Sequence, residues 1–253
     1  MHIPALQGVI DRRILVNYRL EPEIAAAHLP PPFRPKLHQG YAIAGICLIR
    51  LRQLRPRGVP AWLGTTSENA AYRIAVVWPS EEGEREGVYI WQRQSNSWIN
   101  AMLGGIFFPT VFSYARFAVK ETPDRYEITI TSRQGPTLEL AAERVSSWPG
   151  DSAFESLEEA SAFFERGAVG YSPGTRPGQY YGVELQCQRW QVEPLQIVRL
   201  ACTFFDKMAH GSAATITPDC ALVMRQIAHT WERVPALCCS GLGRQEWTDR
   251  VRT

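Results

Sequence analysis

Lysine is nearly missing from this chain. Of its 253 residues only Lys36, Lys120 and Lys207 carry an ε-amine, and the remaining 24 of the 27 cationic residues are arginines. Any reaction through a lysine imine has three residues to choose from. Long apolar runs are missing too: none approaches the roughly 18 uncharged residues needed to cross a bilayer as a helix. The first residues, MHIPALQGVIDRR, lack the basic-then-apolar order of a secretory signal, which predicts a cytoplasmic protein without a membrane partner. The six cysteines, at positions 47, 187, 202, 220, 238 and 239, form no CxxC pair and read as reduced, structural thiols.

Metal-ligand spacing is equally scarce. His2, His28, His38, His210 and His229 form neither HxH nor HExxH, and only Asp206 and His210 have helical spacing. No metal is expected on that basis. There is no GxSxG elbow, and the single GLG near the end follows no strand-to-helix unit, so neither a hydrolase triad nor nucleotide binding is expected. No cofactor is implied. The formal charge is +2, and the one basic cluster, RLRQLRPRG from Arg50 to Gly58, reads as a solvated loop or strand edge. A nucleic-acid partner is not expected.

What is present is a chain of strands. Apolar runs rich in β-branched and aromatic residues predict strands at Val9–Leu20, Tyr41–Leu51, Ala71–Trp78, Val88–Gln92 and Phe112–Val119. RYEITITS, from Arg125 to Ser132, alternates with period two, and SRQGPT after it reads as a hairpin turn. Later strands are predicted at Tyr180–Arg189, Ile197–Phe205 and Ala221–Trp231. Three helices are expected. One starts at Glu21-Pro22, one spans Asn96–Leu103, and one follows Ser156, where Ser156 with Glu159 forms a capping box before an apolar stripe of Leu157, Ala160, Phe163 and Phe164. GYSPGTRPGQYYG, from Gly170 to Gly182, suits either a flap over a cavity or a surface hairpin. The fold class expected is mainly β (α+β): a curved or closed antiparallel barrel-like sheet with a few peripheral helices. The whole chain, 1–253, reads as a single domain, with its core at about 9–235 and a tail at 236–253.

The densest group of unusual residues runs from Ser67 to Phe117. Glu68 and Asn69 stand just before an apolar strand, near the mouth or inside of the sheet. A carboxyl group desolvated there is suited to general acid–base work. The alternative is an ion pair with an arginine such as Arg73 that stabilises a loop. Tyr89, Trp91 and Trp98 supply aromatic surface for the core or for a ligand pocket.

These segments resemble a known family. LVNYRLEPEIAAAHLPPPFRP is similar to the opening of the acetoacetate decarboxylase-like superfamily, SENAAYRIAVVW to its glutamate-bearing strand, and GGIFFPTVFSYARF to its Gly-Gly segment and aromatic-Pro turn. The closer likeness is to the YqjF-like branch, through the SENAA-type strand, the FFERG-type helix and a strand like Leu195 to Asp206. It extends from about Leu15 to Trp231.

In the decarboxylases the turn is followed by a lysine pair, one member of which forms a Schiff base. Here Phe108-Pro109 is followed by Thr110 and Val111, and threonine forms no imine. The resemblance therefore implies the fold and the pocket without the named reaction. Glu68 carries over as the superfamily's acid, and Arg73 and Thr110 are pocket residues by position.

The function expected is small-molecule binding in an apolar cavity, with lysine-independent acid–base chemistry on a carbonyl-bearing or polyketide-like substrate. Isomerisation, dehydration or cyclisation would be assisted by Glu68, while Asn69, Thr110 and Tyr114 orient the substrate. The alternatives are a non-catalytic sequestering protein and a decarboxylase using Lys120 or Lys207. Homo-oligomerisation is left open.

Overall fold

A computed structural model describes residues 5–97, 112–209 and 215–238. The chain opens with the long strand β1 (Leu6–Leu20) and the short helix α1 (Pro22–Ala27), which has proline in its first turn. Two brief strands, β2 (Arg34–Pro35) and β3 (Leu37–His38), lead to β4 (Tyr41–Pro56). A 3-10 turn at Ala61–Leu63 precedes β5 (Thr65–Ser80) and β6 (Gly83–Ser95). Then come β7 (Phe112–Tyr114), β8 (Arg116–Glu121), β9 (Arg125–Ser132) and β10 (Gly135–Arg144). Helix α2 (Leu157–Arg166) is followed by β11 (Val169–Pro173), β12 (Gln179–Cys187) and β13 (Glu193–Cys202). Helix α3 (Thr203–Ala209) and the 23-residue β14 (Ile216–Cys238) complete the described chain.

The strands β1, β4, β5, β6, β11, β12 and β14 hydrogen-bond in that order, and β14 returns to pair with β1 from Leu6↔Trp231 to Leu20↔Ile216. Seven strands thereby close into a ring, which removes their free edges. Near its start β14 also pairs with β13 through Leu195↔Ala221, and β13, β10, β9 and β8 continue as a four-stranded sheet. Pairing is antiparallel except where β6 meets β7 and β11. The expected mainly-β, barrel-like class is the one observed.

The alternation read in RYEITITS is realised: Tyr126, Ile128 and Ile130 are buried while the residues between them are partly exposed. Gly135 closes the β9–β10 hairpin with a positive φ of 113°, a conformation that a side chain would strain. In α2 the Ser156 Oγ accepts from Glu159 N at 3.1 Å, and Glu159 Oε2 accepts from Glu155 N at 2.7 Å, a capping box displaced by one residue on its return arm.

Two expectations change, a third is decided between its alternatives, and a fourth falls almost wholly outside the described residues. Strand β5 starts at Thr65, so Glu68 and Asn69 lie inside the strand, held by Glu68↔Arg50 and Asn69↔Ser95 pairing that extends the ladder across polar residues. The strand predicted to reach Phe205 stops at Cys202, and Phe204 and Phe205 turn into α3, where Phe205 fills the core. The stretch from Gly170 to Gly182 is the β11–β12 hairpin and forms wall of the ring. Of the helix expected over Asn96–Leu103, only Asn96 and Ser97 are described, and neither is helical.

Two cores result. Ile14, Val16, Ile46 and Tyr72 on the outer face of the ring pack with Ile128, Ile130 and Leu140 of the four-stranded sheet. Inside, Ile10, Leu15, Ile43 and Leu222 meet Phe154, Phe163 and Phe164, the last two carried by α2. Three register shifts decide which strand residues look into the ring. Bulges in β4 opposite Gly8, in β1 between Ile10 and Arg12, and in β6 opposite Tyr72/Arg73 reverse the face that alternate residues occupy downstream. They send Arg12 outward and Arg13 inward, and they bring Arg93 to the same side as Val88 and Ile90.

Candidate functional site

All seven strands of the ring contribute residues to one cavity of about 390 Å³, a volume suited to a small organic ligand. Its walls are chiefly apolar, with Ile49, Leu51, Leu54, Ile90, Val183 and Leu185 prominent. Three arginines stand out against this lining: Arg13 from β1, Arg73 from β5 and Arg93 from β6. No described carboxylate forms an ion pair with any of them. A fourth, Arg55, also borders the cavity but donates to the backbone carbonyls of Gln53 and Val59.

Each of the three guanidiniums is held by neutral groups. Arg13 Nε donates to Cys47 Sγ at 3.3 Å, Arg73 Nη2 to Asn17 Oδ1 at 2.9 Å, and Arg93 Nη2 to Ser172 Oγ at 3.3 Å. Aromatic faces complete the support: Trp190 lies 5.6 Å from the Arg13 carbon, Phe164 5.2 Å from that of Arg73 and Phe112 5.8 Å from that of Arg93. Arg13 Nη1, Arg73 Nε and Arg93 Nε find no hydrogen-bond partner among the described residues. Arg73 is only 4% exposed. Burial pushes its guanidinium down to about 10, and the positive charge of Arg13 pushes the same way. Burial likewise brings Arg93 down to about 10, although it borders the cavity and stays partly accessible there. Buried, unpaired positive charge is costly, and an arriving anion would relieve the cost.

Of the residues predicted for the site, Asn69 and Arg73 both line this cavity. Asn69 Nδ2 is occupied by Ser67 Oγ at 2.9 Å and by the carbonyls of Ile49 and Ser67. Glu68 points to the other face of β5, because successive residues of a strand alternate. There it pairs with Arg12 and Arg50, each at 2.5 Å, and Glu121 pairs with the same two arginines at 2.7 and 2.6 Å. This four-membered ring of charges ties β1, β4, β5 and β8 together. Its partners differ from the Arg73 contact offered as the alternative role for Glu68. Trp91 packs on the outer core and donates its indole N–H to the His28 carbonyl at 2.9 Å. Tyr114, at the end of β7, is 55% exposed and does not line the cavity. Trp98 and Thr110 lie outside the described residues.

The residues not anticipated are Arg13, Arg93 and Cys47. The available signal was arginine inside apolar strand runs, in DRRILV and YIWQR, where a solvated charge is out of place. No lysine lines the cavity: Lys36 pairs with Glu86 at 2.6 Å, and Lys120 and Lys207 are exposed on β8 and α3. Among the described residues no group of three His, Cys, Asp or Glu side chains is placed to hold a metal ion.

Beside the cavity, His229 of β14 packs edge-on against Trp231, and neither ring nitrogen has a hydrogen-bond partner among the described residues. Burial, reinforced by Arg13, pushes His229 down to about 4, against a weaker upward pull from the backbone of Ile227 and Gly8. The folded state therefore prefers neutral imidazole. Its contribution is complete above pH 6.5 and disappears as the pH falls towards about 4. Across that window chemical unfolding should show a loss of about 3 kcal/mol, and His229→Phe should flatten the slope.

The chain matches the family model DUF2071, "Uncharacterized conserved protein (COG2071)", over residues 10–226. It belongs to the DUF2071 family. This is the YqjF-like branch anticipated from the SENAA strand and the FFERG helix. The DUF2071 chain also superposes on solved structures of acetoacetate decarboxylase-like fold. With acetoacetate decarboxylase from Legionella pneumophila the TM-score is 0.62 at 10% identity, covering 93% of this chain and 90% of that one. With the enduracididine biosynthesis enzyme MppR complexed with pyruvate it is 0.60 at 10% identity, covering 96% and 93%. An acetoacetate decarboxylase-like enzyme from Sphingomonas wittichii RW1 gives 0.57 at 10% identity, covering 95% and 94%. No curated protein matches the DUF2071 chain by sequence. Among its described residues no helix is long and apolar enough to cross a membrane.

Proposed function

We propose that this DUF2071 protein binds a small carbonyl-bearing organic acid inside the ring and acts on it by lysine-independent proton-transfer chemistry: isomerisation, dehydration or cyclisation. The observation that carries this reading is the set of three guanidiniums, unpaired by any described carboxylate, in a chiefly apolar cavity. A guanidinium fork matches a carboxylate, and a second one nearby stabilises an enolate oxygen as its charge develops. The apolar wall accommodates the rest of the molecule. MppR, solved with pyruvate, is a relative in fold whose ligand is of this class. Glu68, facing away, serves here by fixing the strand that carries Asn69 and Arg73.

One observation favours a rival. No Asp, Glu, His or Tyr is among the described cavity-lining residues, as a non-catalytic carrier would allow. Decarboxylation through Lys120 or Lys207 has no such support, since both are exposed outside the cavity. The free thiols of Cys47, Cys187, Cys202, Cys220 and Cys238 fit a reducing, cytoplasmic setting. Because β14 belongs to both the ring and the four-stranded sheet, we read the chain as one domain.

The test is calorimetric titration with a short oxo acid and its amide, followed by NMR of the incubated ligand and by borohydride treatment. The acid should bind at least about tenfold more tightly than the amide, and borohydride should trap no adduct. Equal affinity would overturn the anion site, and a labelled lysine would overturn lysine-independence. Tight binding with an unchanged ligand spectrum would decide for the carrier.

A further inference from the structure

Cys47 lies in β4 at the cavity wall, only 8% exposed, with its sulfur accepting from Arg13 Nε at 3.3 Å. On the neighbouring strand β5, Arg73 stands diagonally across from it through the Cys47↔Ala71 and Gly45↔Arg73 pairs. Apart from the arginines, Cys47 is the one titratable side chain among the described cavity-lining residues. The nearly buried Arg73, whose Nε is unpartnered among the described residues, lines the same cavity. It supplies what a thiol alone lacks: a place for an anionic reactant beside the sulfur.

We propose that Cys47 is the cavity's nucleophile and that its ligands include α,β-unsaturated oxo acids. This rests on the proposed anion site and adds the reacting atom. The carboxylate is held by a guanidinium, and Sγ attacks the β-carbon. A sulfur–carbon bond forms from the sulfur lone pair while the carbon–carbon π pair moves onto the carbonyl oxygen as an enolate, next to positive charge. The thiol proton is transferred to the α-carbon, so nothing leaves and no oxidant is required. In the reverse direction the α-proton is removed, sulfur departs with its electron pair and the double bond re-forms. If the carbon–carbon bond has rotated in between, the outcome is cis–trans isomerisation. Arg13 then acts as a positioning residue, holding the sulfur towards the ligand.

The probes are 4-oxo-2-pentenoate and its methyl ester, applied to the native protein and read by peptide mass spectrometry. Adduct formation at Cys47 should be at least about tenfold faster with the acid than with the ester, because only the acid is drawn to the guanidiniums. The exposed Cys238 provides the internal reference and should show no such preference. An unmodified Cys47, or one with the same acid-to-ester ratio as Cys238, overturns the proposal. Calorimetry of saturated 4-oxopentanoate with Cys47→Ser separates the two levels. Binding there, with no Cys47 adduct in the native protein, leaves the anion site standing and rejects the nucleophile. No binding to either the variant or the native protein rejects the anion site itself.

Discussion

Replacing Arg73 with methionine is expected to weaken carboxylate binding by on the order of a hundredfold while making the protein harder to unfold. Both effects share one cause. The guanidinium is buried and has no described ion-pair partner, and burial holds it at about 10, well below its ordinary value. Keeping it charged at neutral pH costs the folded state roughly 3 kcal/mol. Methionine removes that penalty and fills a similar volume. It forfeits the hydrogen bond to Asn17 Oδ1 and the stacking on Phe164, together about 1–2 kcal/mol. A net gain of about 1–2 kcal/mol should therefore appear in denaturant titrations. Stability held in reserve at a binding site is the usual signature of function. Calorimetry with an oxo acid gives the binding arm and should show the affinity of the amide unchanged. A variant that binds the acid normally, or that is clearly destabilised, would contradict this account of Arg73.

The opposite pattern is expected at Glu68. Glu68→Ala should destabilise the protein by about 3–5 kcal/mol, lowering the thermal midpoint by roughly 10 °C for a chain of this length. The loss arises because Arg12, only 1% exposed, has Glu68 and Glu121 as its carboxylate partners and cannot turn to water. Glu121 is itself pushed upward by burial, but the hydrogen bonds and charges of Arg12 and Arg50 outweigh this and leave it below the usual carboxylate value. Removing one carboxylate leaves the buried Arg12 and the half-buried Arg50 around the other. Glu68→Ala and Glu121→Ala should accordingly be non-additive, since they share both arginines. Carboxylate binding in the cavity should survive in the Glu68 variant wherever it remains folded, because the side chain lies on the opposite face of β5. An unchanged midpoint combined with lost turnover would instead restore Glu68 to the role of acid–base group.

Several features were legible before any coordinates. The period-two pattern of Tyr126, Ile128 and Ile130, the Ser156 cap on Glu159 N and the Pro22 helix start are local, and each was found as read, with only the return arm of the capping box shifted to Glu155. The family was legible from segments such as SENAAYRIAVVW because their order along the chain carries the resemblance. Asn69 and Arg73, named from the sequence as pocket residues, line the cavity, and strand alternation turns Glu68, which had been grouped with Asn69, to the opposite face. Arg13 and Arg93 could not be assigned in this way. Each follows a β-bulge, and a bulge inverts the relation between sequence parity and sheet face without any residue pattern that announces it.

The sequence by itself determined the strand-rich class, the family and the absence of a lysine where an imine would need one. These depend on residue identity and near-neighbour periodicity. Only the tertiary structure decided which arginines face the cavity and which pair with Glu68 and Glu121. Arg12 and Arg13 are adjacent in the chain, yet one closes a ring of charges outside the barrel and the other lies beside Cys47 inside it. That division is set by the β1 bulge and by the closing of β14 on β1, long-range contacts that no local pattern encodes.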